Sequence, residues 1–350
     1  MKRQLVLAVL LLVTRSATGQ TQALTPLSLD ALLTSREIVN EISGPSFAPG
    51  GQLFTYTALD RRPERIAVGR NTTPGGWYVL GGDIWLAPSR AGATHRNLTQ
   101  GKGNNWGPSW SPDGRRVAFY SDRAQGPDSG IVHLWLWEQA TGITRQVGSV
   151  RVLVTSLTLL DRPSWTADGR SVLVSLRPEI PHNEPGQAEA RIQVDRGVTA
   201  TVYSFDPANP DSSTSKTSPS NLNPWQRSAM RDLALVDVQT GVVRRLTRGL
   251  HVYSQALSPS RRVVMWVAVT GIARPGTNQL RTDLMVTELA TGTTRRLVSD
   301  VPLLYAPHAA LVSWSPNSDA LAYRVEGPEI KDEVYVVSVA GGPPRRIADD

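Results

Sequence analysis

Five times along this chain an apolar strand runs into a short turn ending in glycine and comes back as a second strand. The copies read "DIWLAPSRAGATHRNLT" from Asp83, "HLWLWEQATGITRQV" from His133, "DLALVDVQTGVVRRLT" from Asp232, "DLMVTELATGTTRRLV" from Asp283 and "EVYVVSVAGGPPRRIA" from Glu333. Their turn glycines, Gly92, Gly142, Gly241, Gly292 and Gly342, are spaced by 50, 99, 51 and 50 residues. Ahead of each hairpin stands a second recurring piece: "GPSFAPGGQLFTYTAL" from Gly44, "WGPSWSPDGRRVAFYSDR" from Trp106, "RPSWTADGRSVLVSL" from Arg162, "SQALSPSRRVVMWVAV" from Ser254 and "LVSWSPNSDALAYRV" from Leu311. The unit is therefore four short strands in roughly 50 residues. One such unit cannot bury both of its faces, so neighbours must stack. All-β units of this period, each with an aromatic and a glycine turn, fit a β-propeller. The expected fold class is all-β, a β-propeller of four-stranded blades with five repeats visible.

The repeat sets the expected boundaries. Residues 1–19 read as a signal peptide, 20–43 as a lead-in segment and 44–350 as the propeller. The blades fall at about 44–105, 106–150, 162–250, 254–301 and 311–350. The 99-residue spacing marks an insertion at 179–230 within the third blade. Its middle, 206–224, is rich in Ser, Pro and Asn and reads as a loop. Residues 191–205 read as an extra hairpin, which leaves a sixth, degenerate blade as one alternative. Blades missing from this chain are the other.

The first residues have the pattern of export. Lys2 and Arg3 precede an apolar run, Leu5 to Val13, and small residues follow at Ala17 and Gly19. The run is too short to cross a bilayer, and no later stretch reaches 18 apolar residues. The chain has no cysteine, which excludes disulfides, thiolate metal sites and a cysteine nucleophile. The expected location is periplasmic or extracellular, in a bacterium. Net charge is +7, of which Lys2, Arg3 and Arg15 of the signal carry three, leaving +4. The arginines are scattered in pairs such as Arg115-Arg116, Arg244-Arg245, Arg295-Arg296 and Arg345-Arg346. A nucleic-acid binder gathers its basic residues into one patch, so no nucleic-acid partner is expected. The pairs read as solvated strand and turn positions.

The best-preserved copy, "SWSPDGRRVAFYS", is explained by folding alone. Pro112 presets φ, Asp113 bonds its own backbone and Gly114 accepts a positive φ. The other copies carry Gly50, Asp168, Ser260 and Asn317 where this one has Asp113. They share turn propensity, not a carboxylate. The five histidines, at 95, 133, 182, 251 and 308, have no metal-binding spacing, and Gly75-Gly76 and Gly81-Gly82 lack the context of a nucleotide loop. No cofactor or metal is expected.

"PSWSPDGRRVAFYSDR" followed by "HLWLWEQATGITRQV" resembles the WD-like repeat of TolB-type proteins. It also resembles the N-terminal propeller of prolyl oligopeptidase family serine peptidases, in the dipeptidyl- and acylaminoacyl-peptidase branches. The lead-in, with Leu29, Leu32 and Leu33 running straight into the first repeat, is similar to bacterial members of the peptidase family. So is "GKGNNWGPSWSPDGRRVAFYSDR". TolB-type proteins carry an α/β domain ahead of the propeller, for which this chain has no room. In the peptidase family the propeller caps an α/β-hydrolase domain with a Ser-Asp-His triad and filters peptides on their way to the serine. No G-x-S-x-G elbow occurs here, so no catalytic residue carries over and the chain alone is expected to be inactive. Dipeptidyl branches grip the substrate's amino terminus with acidic propeller residues. Glu179, Glu184 and Glu189 in the insertion are the candidates for that role, a solvated loop being the plainer reading. The expected function is to gate and position peptides for a hydrolase domain not present in this chain. The alternative is a free-standing TolB-like periplasmic propeller that binds protein or glycan partners.

Overall fold

The computed structural model describes residues 36–38, 44–60, 62, 79–124, 131–153, 161–176, 230–248, 250–272, 279–304, 312–327 and 330–349. The 21 strands of these residues are all paired antiparallel. A short strand, β1 (Arg36–Ile38), lies in the lead-in and pairs with β3. The other twenty strands make five blades of four, so the fold class expected from the repeat is the one observed. Blade 1 is β2 (Ser46–Phe47), β3 (Leu53–Asp60), β4 (Gly82–Pro88) and β5 (Arg96–Asn97). Blade 2 is β6 (Asn105–Trp110), β7 (Arg116–Ser121), β8 (Val132–Glu138) and β9 (Thr144–Val152). Blade 3 is β10 (Ser164–Trp165), β11 (Ser171–Leu176), β12 (Met230–Asp237) and β13 (Val243–Arg245). Blade 4 is β14 (Leu250–Leu257), β15 (Val263–Ile272), β16 (Gln279–Glu288) and β17 (Thr294–Leu304). Blade 5 is β18 (Val312–Trp314), β19 (Ala320–Gly327), β20 (Ile330–Ser338) and β21 (Arg345–Asp349).

The alternation of each strand divides a blade into a face toward the next blade and a face toward the previous one. In blade 3, Leu173, Leu233 and Leu235 point forward and pack on Val252, Val264 and Trp266 of blade 4. Val172, Val174, Ala234 and Val236 point back and pack with Leu134, Leu136 and Val147 of blade 2. Both faces are buried, so these strands read as near-continuous apolar runs. Blade 4 meets blade 5 in the same way, Met265, Leu284 and Val286 against Leu321, Tyr323 and Val337.

Polar bonds repeat at the same junctions. The Trp165 indole N–H donates to the Ser109 carbonyl of the preceding blade at 3.0 Å, and Trp314 does the same to Ala256 at 3.1 Å. Trp110 takes the equivalent place in blade 2, but its main-chain N–H bonds the Ser46 hydroxyl at 3.2 Å and its ring stands edge-on to Trp137.

The arginine pairs sit at largely exposed strand and turn positions, as read from the sequence, and most of them also make defined contacts. One arginine of each outer strand holds the same register, Arg96, Arg145, Arg244, Arg295 and Arg345 lying opposite Leu86, Leu136, Leu235, Val286 and Val336. Arg145 reaches forward to the carbonyl of Val238 at 2.9 Å, Arg244 to that of Leu289 and Arg295 to that of Val339. Arg96 instead lies over the Trp137 ring of blade 2, 5.3 Å from its centroid. The next residue turns back within its own blade. Arg245 pairs with Asp232, Arg296 with Asp283 at 3.1 Å and Arg346 with Glu333 at 3.0 Å, while Asn97 bonds Asp83 at 3.1 Å. These side chains are half-solvated, yet all but Arg345 fasten a defined neighbour.

Blades 2, 3 and 4 also share ladder bonds, β9 with β11 and β12 with β14, and so form one continuous sheet. Blade 1 with β1 is a separate sheet and so is blade 5. No strand of blade 5 pairs with a strand of blade 1 among the described residues.

Candidate functional site

The richest polar cluster lies at the inner ends of blades 3 and 4. It begins with an irregularity in β14, where the register to β15 shifts between Val252 and Ser254. A bulge frees carbonyls from the ladder. Arg231, buried in β12, takes both freed groups, Nε donating to the Val252 carbonyl at 2.8 Å and Nη2 to that of Tyr253 at 2.9 Å. Its Nη1 meets the Asp161 carboxylate at 2.7 Å. The same carboxylate oxygen accepts from the Ser175 hydroxyl at 3.2 Å and from the Gln255 amide at 3.3 Å. Burial pushes the Asp161 carboxyl above its ordinary range, against the opposing pull of Arg231 and these hydrogen bonds. It also pushes the Tyr120 phenol, close to Asp161, well above its ordinary value. An ion pair held this tightly ties three elements of two blades together.

Beside this knot is a polar cavity of about 150 Å³, lined by Asp161, Arg162, Ser164, Leu173 and Gln255. That is room for about five water molecules at their liquid volume of ~30 Å³ each. Arg162 contributes the unbalanced charge. Asp161 is matched by Arg231, whereas the Arg162 guanidinium has no hydrogen bond or ion pair among the described residues. Burial alone lowers its pKa. Its Nη2 extends to the main chain of blade 1, where a Cβ on Gly44 would lie 3.9 Å from it. A desolvated cation without a counterion attracts a carboxylate, a phosphate or a carbonyl oxygen.

A second cluster joins blades 1 and 2 and comes from the stretch "GKGNNW". Asn104 gives its main-chain N–H and its amide to the Asp122 carboxylate, both at 2.7 Å, and accepts from the Gly81 N–H at 2.9 Å. Arg123 donates to Asn105 at 2.6 Å and lies over the rings of Trp135 and Phe119. Burial lowers the Arg123 guanidinium to about 10. Gly81 is obligatory, since a Cβ there would sit 2.1 Å from the Asp60 carbonyl oxygen. The carboxylate, amide and guanidinium groups of this cluster bond one another and so fasten two blades, while the buried indole N–H groups of Trp106 and Trp135 have no partner among the described residues.

The three glutamates expected to grip an amino terminus, Glu179, Glu184 and Glu189, lie outside the described residues, as does the expected hairpin at 191–205. Sequence reading missed Asp161, Arg162 and Arg231. No motif surrounds them, and the signal available was only an Asp-Arg-Pro step ahead of an inner strand. Asp113 lies in its turn as expected, accepting from the Ser111 hydroxyl at 2.5 Å and the Arg115 N–H at 3.1 Å. Among the described residues no group of three or more His, Asp or Glu side chains is placed to hold a metal ion. Nor is any helix long and apolar enough to cross a membrane.

Comparison with known proteins agrees with the resemblance seen in the sequence. The chain is 25% identical over 218 residues to the uncharacterized peptidase YuxL of Bacillus subtilis, a match that covers 62% of this chain and 28% of that protein. Among solved structures, acylaminoacyl peptidase in complex with a chloromethyl ketone superposes with a TM-score of 0.50 at 10% identity, over 91% of this chain and 40% of that one. A putative TolB from Agrobacterium tumefaciens gives a TM-score of 0.43 at 13% identity, over 90% of this chain and 81% of that one. No family model matches. The chain thus spans less than a third of the length of the curated relative it matches, and it shares a fold with the acylaminoacyl peptidase propeller.

Proposed function

We propose that this chain is the non-catalytic propeller portion of an exported serine peptidase, and that it gates and positions short peptides for a hydrolase domain. The observation that carries the reading is the 218-residue likeness to a peptidase of which it occupies 28%. The cavity beside Arg162 supports it: a half-buried guanidinium without a counterion, at the inner ends of two blades, suits a peptide carboxylate or carbonyl.

Calorimetric titration of the purified chain with unblocked di- and tripeptides tests the binding step, and chromogenic aminoacyl and dipeptidyl substrates test the chemistry. Binding without turnover is expected, with Arg162→Gln weakening it about tenfold, the equivalent of ~1.4 kcal/mol. Turnover by these residues would refute the non-catalytic assignment. Capture of a protein or glycan ligand with no affinity for peptides would replace the reading by that of a free-standing binding propeller.

A further inference from the structure

The Asp161 carboxylate is bonded on one side only. Its three donors, the Arg231 guanidinium at 2.7 Å, the Ser175 hydroxyl at 3.2 Å and the Gln255 amide at 3.3 Å, all converge on Oδ2. Oδ1 has no partner among the described residues, and it is not one of the unpartnered side-chain atoms sealed off from water. It opens on the cavity of about 150 Å³ that Asp161 helps to line. Turning the carboxylate to share its bonds would break the short ion pair with Arg231. Oδ1 is therefore held in place as an acceptor facing the cavity.

The charges around the cavity do not balance. Asp161 is already neutralised by Arg231, so Oδ1 calls for a hydrogen-bond donor and not for a second cation, which would be repelled by the same guanidinium. Arg162, the next residue, lines the same cavity, and its guanidinium has no anion among the described residues. A desolvated guanidinium without a counterion favours a carboxylate over a neutral carbonyl, which would leave its charge uncompensated. Leu173, Ala256 and Leu257 give the cavity an apolar side. At about 150 Å³, the room of about five waters, it admits one small residue and not a length of chain.

We propose that this cavity takes a single residue bearing a free carboxylate and, on the α-carbon beside it, an uncharged N–H. That chemistry is shared by the C-terminal residue of a short peptide and by a free N-acyl amino acid. The carboxylate pairs with Arg162, the N–H donates to Asp161 Oδ1, and a small apolar side chain lies against Leu173 and Leu257. The proposal rests on the peptide-handling reading of the same cavity and narrows it. The cavity reads the carboxyl end of its ligand, whereas Glu179, Glu184 and Glu189 were expected to grip the amino end.

Calorimetric titration of the purified chain with a matched set of probes tests it. N-acetyl-L-alanine carries both recognised groups. N-acetyl-L-alaninamide lacks the carboxylate, and O-acetyl-L-lactate has an ester oxygen in place of the N–H. N-acetylalanine is expected to bind, with each analogue about tenfold weaker or worse. Arg162→Gln, whose folding circular dichroism checks, should weaken N-acetylalanine about tenfold and erase the preference for acid over amide. Equal binding of the acid and its amide by wild type would overturn the proposal, and so would equal binding of acetyl-lactate. Trialanine and trialaninamide separate the two sources. Trialanine bound in preference to its amide identifies a peptide C-terminus. N-acetylalanine bound while neither tripeptide binds identifies a free N-acyl amino acid, supporting this inference and refuting the peptide-handling reading. Tripeptides that bind equally as acid and amide would overturn the inference and leave that reading standing, and no binding by any probe would overturn both.

Discussion

Arg145, on the outer strand of blade 2, donates to the main-chain carbonyl of Val238 in blade 3 at 2.9 Å. The bond spans blades far apart in sequence and recurs at the next two junctions through Arg244 and Arg295. A hydrogen bond from a charged donor is worth about 1.5–3 kcal/mol when buried, and these half-solvated ones less. Arg295→Ala is expected to cost about 1 kcal/mol in urea unfolding, while Arg345→Ala, whose side chain makes no hydrogen bond or ion pair among the described residues, costs nothing measurable. Equal losses from the two would show that the guanidinium contributes through its own strand and not through the junction.

The Asp161–Arg231 pair makes a sharper prediction. Removing one partner leaves a buried charge uncompensated, which costs about 3–5 kcal/mol. Asp161→Ala should therefore unfold near the loss of a core residue. A double variant, Asp161→Leu with Arg231→Met, removes both charges and should recover much of the stability, leaving the two bulge carbonyls of β14 as the remaining deficit. Denaturation of the single and double variants decides it, and a double variant worse than the sum of the two singles would contradict the account.

The turn between the first two strands of each blade requires a left-handed residue, and three blades use glycine, at Gly51, Gly114 and Gly169. Blades 4 and 5 place Arg261 and Ser318 there, at φ of 57° and 68°. A side chain in that region costs about 1 kcal/mol relative to glycine. Arg261→Gly is expected to raise the melting temperature. Ser318→Gly gains less, because the Ser318 hydroxyl accepts from the Ser260 N–H at 2.9 Å. A lower melting temperature for Arg261→Gly would mean that its side chain makes a stabilising contact of its own.

Acid should loosen two turns of blade 3, the β10–β11 turn that holds Asp168 and the β12–β13 turn that holds Asp237. The Thr166 hydroxyl and the Arg170 N–H hold the Asp168 carboxyl below its ordinary value, and the Thr240 N–H does so for Asp237. Both groups therefore add stability above the unfolded carboxylate value of about 3.9, and that contribution is lost as pH falls through their depressed folded values. Asp161 and Asp122, raised by burial, act in the opposite sense and remain in both proteins of the comparison. Between pH 5 and pH 3 the melting temperature of wild type should fall more steeply than that of Asp168→Asn/Asp237→Asn. Parallel curves would show that these carboxylates do not titrate with folding.

The architecture was legible because glycine turns and alternating apolar residues are local requirements. A turn such as Ser111 to Gly114 announces itself in four letters, and Asp113 behaves as those letters imply. The bonds that the arginines make across the junctions were not legible for a reason of the same kind. Sequence shows a charged residue on an outer strand, which is ordinarily solvated, but the acceptor is a carbonyl of the next blade and carries no side-chain signature. Arg231 was missed because its partners exist only through a bulge at Tyr253, which no residue pattern around it demands. The cavity beside Arg162 follows from how blades 3 and 4 meet, a distance in space that the spacing of repeats does not encode.

The direction of the blade junctions has a consequence for how such a chain arises. Across these junctions a side chain meets main chain, an arginine reaching forward or a tryptophan reaching back to a carbonyl of the neighbouring blade. A tandem duplication of one 50-residue unit would bring a donor and its acceptor together at once, with no matching substitution needed in the new copy. Thereafter the receiving segment is free to change its side chains without breaking the bond, so ancestry is kept in the geometry after it has faded from the letters.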